Sequence, residues 1–182
     1  MEKRAVSLGT ARTWGFTVVE ILVVMTIILV LAGLILATSS YVHNKGARSR
    51  AEAEIAAMSA ALENYKADNG VYPVDTSVNA RLNLDPSAYA TASLVLYKAL
   101  SGDADNDANR TAEKTSYFAF KPNQLAPSNQ TQSVTYIKDP FGYSYGYSTA
   151  GQAGGATGYN PTFDLWSTAG STTSAAGWVK NW

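Results

Sequence analysis

The chain has 182 residues, with 14 Lys+Arg against 14 Asp+Glu, one His and no Cys; 46% of it is apolar and only 15% charged. That length holds one domain with an appendage rather than two full domains. A net charge of zero leaves no surplus of basic side chains for phosphate contacts and argues against nucleic acid as a partner. The lack of cysteine excludes a disulfide framework, a thiolate zinc site and a thiol nucleophile, and a single histidine argues against a catalytic triad.

Residues 16–37 read FTVVEILVVMTIILVLAGLILA, in which 18 of 22 are apolar and Glu20 is the only formal charge. At about 1.5 Å per residue such a helix covers roughly 33 Å, enough for the hydrocarbon core of a bilayer. One membrane span is expected here. An ordinary secretory signal is the other reading, but the run exceeds the roughly 7–15 apolar residues of such a signal, and residues 32–41 offer only weak small-residue cleavage sites. Lys3, Arg4 and Arg12 precede the span, so the positive-inside rule keeps that end cytoplasmic and exports the rest; Lys45, Arg48 and Arg50 beyond the span weaken this bias.

A carboxylate in a bilayer costs roughly 2.5–3.5 kcal/mol at the centre, which makes Glu20 a functional candidate by default. Its surroundings read Trp14-Gly15-Phe16-Thr17-Val18-Val19-Glu20, a basic leader ending in glycine, then an aromatic residue, then an acid four residues on at the head of an apolar helix. This pattern closely resembles the type III signal of type IV pilins and pseudopilins. The resemblance implies cleavage by a membrane prepilin peptidase between Gly15 and Phe16, and N-methylation of Phe16. Physically, a carboxylate near a helix N-terminus meets the partial positive charge of unpaired N–H groups. Cleavage would add a full charge at the Phe16 amine, which Glu20 of the same or a neighbouring subunit would neutralise inside a filament, since either charge alone in an apolar core is costly.

Beyond the span, HNKGARSRAEAEIAAMSAALENYKADNG (residues 43–70) carries Ala51, Ile55, Met58, Leu62 and Tyr65 at alternating steps of four and three, with the charges mainly elsewhere. That is an amphipathic helix whose stripe should pack on a globular head; a short coiled coil is the other reading. Gly46 is tolerable inside it, and Asn69-Gly70 before Tyr72-Pro73 supplies the stop. Span and stripe together predict one helix over residues 16–68. A long N-terminal helix, half in the membrane and half buttressing a head, is also what the family resemblance implies.

Residues 74–86 read as loop. TASLVLYKAL (91–100), with Gly102 after it, predicts a short helix. In the following SGDADNDANRTAEK, Asp103, Asp105, Asp107 and Asn109 stand at alternate positions and resemble the first half of a calcium loop. The match fails at Ala108, where glycine is wanted, and at Lys114, where a bidentate Glu is wanted; a solvated acidic loop is the alternative. Residues 133–137 and 143–147 have strand composition around the turn Asp139-Pro140-Phe141-Gly142, and residues 160–167 read as a further strand after the Gly-rich segment 151–158. The fold class predicted is therefore α+β: a long N-terminal α-helix, membrane-spanning then amphipathic, packed against a small C-terminal antiparallel β-sheet. The alternating tyrosines are expected on sheet faces.

The DPFG turn, the Y-x-Y strand and the FDLWS ending (163–167) are similar to the major pseudopilins of type II secretion systems. The resemblance implies a residue 1–15 leader, a 16–40 membrane and filament-core helix, and a 41–182 amphipathic helix with a periplasmic head, anchored in the inner membrane. It implies a helical homopolymer, with minor pseudopilins, an inner-membrane assembly platform and the prepilin peptidase as partners. In that family the last strand leads into a calcium loop with Asp and Ser ligands, whereas residues 168–177 here contain no carboxylate. A pilus subunit for adhesion or motility is the rival within the class. A signal-anchored periplasmic protein binding a ligand through Trp166, Trp178 and Trp182 is the rival outside it. No nucleophile–base–orienter set or phosphate loop appears, so an enzyme is not expected.

Overall fold

The computed structural model describes residues 15–74, 85–152 and 158–182. The leader up to residue 14, most of the segment read as loop before Pro86, and the centre of the Gly-rich segment lie outside the described residues. The chain divides into two units, Met1–His43 and Asn44–Trp182.

Helix α1 spans Val18–Asn69, as the joined span and stripe predict. In the first unit its apolar side chains are exposed on all sides, among them Val23, Met25, Ile28, Leu31 and Leu34. A helix that is apolar all round has no stable state in water and needs lipid or other helices around it. It is long and apolar enough to cross a membrane.

In the second unit the predicted stripe is spent inside the head. Ala51, Ile55, Met58 and Leu62 are buried and Tyr65 is packed against the same core. Burying a side chain such as Leu62 or Ile55 contributes about 1.5–3 kcal/mol. Carboxylates beside the stripe accept hydrogen bonds from hydroxyls of the head: Tyr145 donates to Glu54 at 2.7 Å, Tyr72 to Glu63 at 2.9 Å and Tyr117 to Asp68 at 3.0 Å. Burial first, and Glu63 second, push the Tyr72 hydroxyl up to about 12, so it stays a donor across the physiological range.

Helix α2 covers Ala90–Ser101, one residue longer at each end than predicted, after a 3₁₀ turn at Pro86–Tyr89. Gly102 closes it in the left-handed region at φ 80°, and a Cβ there would collide with the Lys114 carbonyl oxygen. Tyr89, Leu96, Tyr97 and Leu100 are buried.

Among the described residues the strands are shorter than the sequence suggests and form two antiparallel sheets instead of one. β1 (Leu125–Ala126) pairs with β2 (Tyr136–Ile137) in the register Leu125↔Ile137. β3 (Gly146–Ser148), β4 (Asp164–Ser167) and β5 (Val179–Lys180) form the second sheet in that order. Side chains cut the ladders short. Asn106 donates to the Val134 carbonyl and accepts from its N–H, so only the end of the 133–137 run pairs as strand. Asp164 accepts from the N–H groups of Tyr159 and Asn160 and curls the residues before β4. The Y-x-Y run is split between partners: Ser144 bridges to Lys138 and Tyr145 donates its N–H to Ile137, whereas Gly146 onward pairs with β4. Tyr145 and Tyr147 are both buried in the core that α1, α2 and the strands share.

Candidate functional site

Gly15 and Phe16 precede the first turn of α1, and Phe16 is 83% exposed, so the Gly15–Phe16 peptide bond lies on open, non-helical chain. Thr17 and Glu20 then lock the helix start. The Glu20 carboxylate accepts from the Thr17 N–H at 2.7 Å and from its hydroxyl at 2.8 Å, while the Thr17 hydroxyl oxygen accepts from the Glu20 N–H at 3.3 Å. This is a capping box, with donors that a helix N-terminus leaves orphaned satisfied reciprocally. The Thr-Val-Val-Glu spacing carries that signal in the sequence, where the acid alone drew attention. The Glu20 carboxylate thus sits against Thr17, the residue next to Phe16, at the N-terminal end of the helix.

The acidic loop after α2 is brought into a different grouping from the predicted one. Asp103 is buried, accepting from the Tyr97 hydroxyl at 2.7 Å and from the Asn106 N–H at 2.8 Å. Asp105 accepts from the Asp107 N–H; Asp107 accepts from the N–H groups of Asn109 and Arg110; Asn109 donates to Thr111. These are local turn bonds of short polar side chains. The carboxylates that come together are Asp103, Asp105 and Glu113, with oxygens mutually within 4.8 Å, a group that could hold a metal ion. Glu113 arrives because its N–H and that of Lys114 both donate to the Gly102 carbonyl, folding the loop back on the helix end, and its carboxylate accepts from the Ala104 N–H at 2.8 Å. Asp107 is not among these carboxylates. Next to it, the Arg110 guanidinium donates to the carbonyls of Gln132, Pro127 and Asn129 at 2.6–2.8 Å and ties down residues 127–132.

Comparison with known proteins adds one relative. Over 62 residues the chain is 40% identical to the type II secretion system core protein G of Pectobacterium carotovorum subsp. carotovorum, a stretch that covers 34% of this chain and 40% of that protein. The similarity supports the pseudopilin family. No family model matches the chain, and no solved structure does.

The loop where the pseudopilin resemblance implies calcium is residues 168–177, and its donors do not suit that ion. The nearest carboxylates are spent: Asp164 on backbone N–H groups, and Asp139 on the Ser167 hydroxyl and the N–H groups of Phe141 and Tyr143. Burial pushes the Asp139 carboxyl up from its ordinary range, against the lowering effect of the Ser167 hydroxyl and those N–H groups. Inside the loop, the Ser171 N–H donates to the Thr168 carbonyl, the Ser171 hydroxyl donates to the Ser174 carbonyl, and the Ser174 hydroxyl oxygen accepts from the Ala176 N–H. Calcium wants about 6–8 oxygens, several of them anionic. This loop supplies none that is charged.

Of the tryptophans considered for ligand binding, Trp166 and Trp178 are buried, packed with Tyr89 and with the partly buried Trp182. Their rings stack on each other at 6.3 Å between centroids, so they are core and not an open aromatic surface.

Proposed function

We propose that this chain is a structural filament subunit of a type II secretion pseudopilus. It enters the inner membrane with its N-terminus cytoplasmic and its head periplasmic, loses its leader between Gly15 and Phe16 to a prepilin peptidase, and is N-methylated at Phe16. It then polymerises through its apolar stem. Stacked identical stems make a heterologous, non-closing contact, which gives a filament instead of a ring. Minor pseudopilins and an inner-membrane assembly platform are the partners of that process, and growth of the filament moves proteins out of the periplasm. The observation that carries this reading is the coincidence of an exposed Gly15–Phe16 bond, the Thr17–Glu20 cap and an apolar helix with no burial of its own, supported by the likeness to core protein G.

Mass spectrometry of the purified mature N-terminus tests it. The expected first residue is N-methylated Phe16; an intact Met1, or cleavage near Ala37, removes the filament reading. A pilus for adhesion or motility shares all of this chemistry and is the rival reading. The signal-anchored ligand binder is less favoured because Trp166 and Trp178 are core and because such an anchor has no need of Glu20.

Calcium is the cation this reading assigns to Asp103, Asp105 and Glu113, with backbone carbonyls and water completing the shell. Calcium at a hundredfold excess over its Kd is expected to stabilise the full chain in detergent by about 2.7 kcal/mol, and Asp105→Asn to abolish the response. An unfolding midpoint indifferent to calcium takes the ion out of the reading.

A further inference from the structure

The loop at residues 168–177 lacks the anionic oxygens a divalent cation needs, yet two carbonyls at its end converge on a positive charge. The Arg48 guanidinium, from the second half of α1, donates to the Gly177 carbonyl at 2.6 Å and to the Trp178 carbonyl at 3.2 Å. Glu52, one turn on, lies 3.8 Å from the Arg48 Nε. Backbone carbonyls are a usual part of a calcium shell, and here a guanidinium fork occupies them. The contact joins residues 129 and 130 positions apart in sequence, so it closes the loop onto the helix as a bound ion would close it onto the head.

We infer that in this protein Arg48 replaces the cation of the C-terminal loop, so that residues 168–178 are latched to α1 by a guanidinium and take no divalent ion. A second cation at the same carbonyls would face the guanidinium charge, and the carboxylate beside it, Glu52, is already paired with that guanidinium. The Ser171–Ser174 bonds finish the loop from within, and Trp178, just beyond it, is anchored against Trp166. The inference stands on the head alone and holds whether or not the chain enters a filament.

Hydrogen exchange of the full chain in detergent micelles, read on the peptide covering residues 168–178, tests the latch. In the parent chain, exchange is expected to be the same in calcium and in EGTA. In Arg48→Ala it is expected to be about tenfold faster in both, since two charge-assisted bonds are lost. Protection of β3 and β4 should be unchanged, which separates an opened latch from a destabilised head, and Arg48→Lys should fall between parent and Ala. Chelator that speeds the parent loop as much as Arg48→Ala does would overturn the inference, because a bound ion would then be closing it. So would a loop as protected in Arg48→Ala as in the parent. The readout is local to the loop, so calcium bound at Asp103, Asp105 and Glu113 does not obscure it, and a wrong filament reading would leave the result unaltered.

Discussion

A Glu20→Gln chain is expected to insert, to be cleaved, and then to enter filaments at no more than about a tenth of the parent level, measured by sheared-filament yield or by crosslinking. The geometry makes this substitution more informative than removal of the side chain. Glu20 accepts from the Thr17 N–H in a capping box, and glutamine at that helix position can accept the same bond. Glu20→Gln therefore keeps the helix start and deletes only the charge. If the carboxylate neutralises a Phe16 amine inside the filament, the amine left unpaired in an apolar core is costly, on the order of 3–5 kcal/mol for a buried pair broken on one side. Thr17→Ala does the converse, losing the cap at about 1 kcal/mol and keeping the charge. The expected order of assembly is parent, then Thr17→Ala, then Glu20→Gln. Wild-type assembly of Glu20→Gln, or the reverse order of the two variants, would leave Glu20 with a capping role only.

The same two residues show what the sequence made legible. Periodicity is a backbone-scale signal, and it located α1, its buried stripe and α2 to within two residues at each end, because Ala51, Ile55, Met58 and Leu62 recur at helical spacing and Gly102 stops α2. The Gly15–Phe16–Glu20 spacing is likewise a local pattern. What periodicity does not reveal is set by single side chains reaching across the fold. Val134 has strand composition, but Asn106, 28 positions away, holds both its backbone groups. Glu113 stands one position short of where a calcium-loop count wants it and joins Asp103 because Gly102 accepts two N–H groups and the Ala104 N–H donates to the Glu113 carboxylate. The two-residue strands β1 and β5 are too short to show alternation at all. Tryptophans in a C-terminal segment cannot be sorted into surface and core without knowing that Tyr89, far upstream, packs among them.

That aromatic cluster sets a large stability effect in the head, at Gly146. In the register of β3 and β4, Gly146 stands opposite Trp166, and a Cβ on it would fall inside the Cε2, Cζ2 and Nε1 atoms of the indole. Trp166 has nowhere to move: Tyr89 meets it edge-on at 4.9 Å, Trp178 stacks at 6.3 Å and Trp182 abuts it at 5.9 Å. Gly146→Ala should therefore destabilise the head by about 3 kcal/mol, the upper end for overpacking in a rigid core, and lower its unfolding midpoint by roughly 10 °C. Chemical denaturation followed by tryptophan fluorescence reads the change, and a loss under about 0.5 kcal/mol would mean that the indole has room to yield. A second substitution makes the cause explicit. The Trp166 Nε1 is buried and unpaired, so Trp166→Phe removes an orphaned donor along with part of the ring, which offsets some of the packing lost. In the Gly146→Ala background that smaller ring also relieves the collision. The double variant should accordingly be more stable than Gly146→Ala alone, with a coupling of at least about 1 kcal/mol between the two sites. Additive losses would place the strain elsewhere, in the β3 backbone and not against the indole.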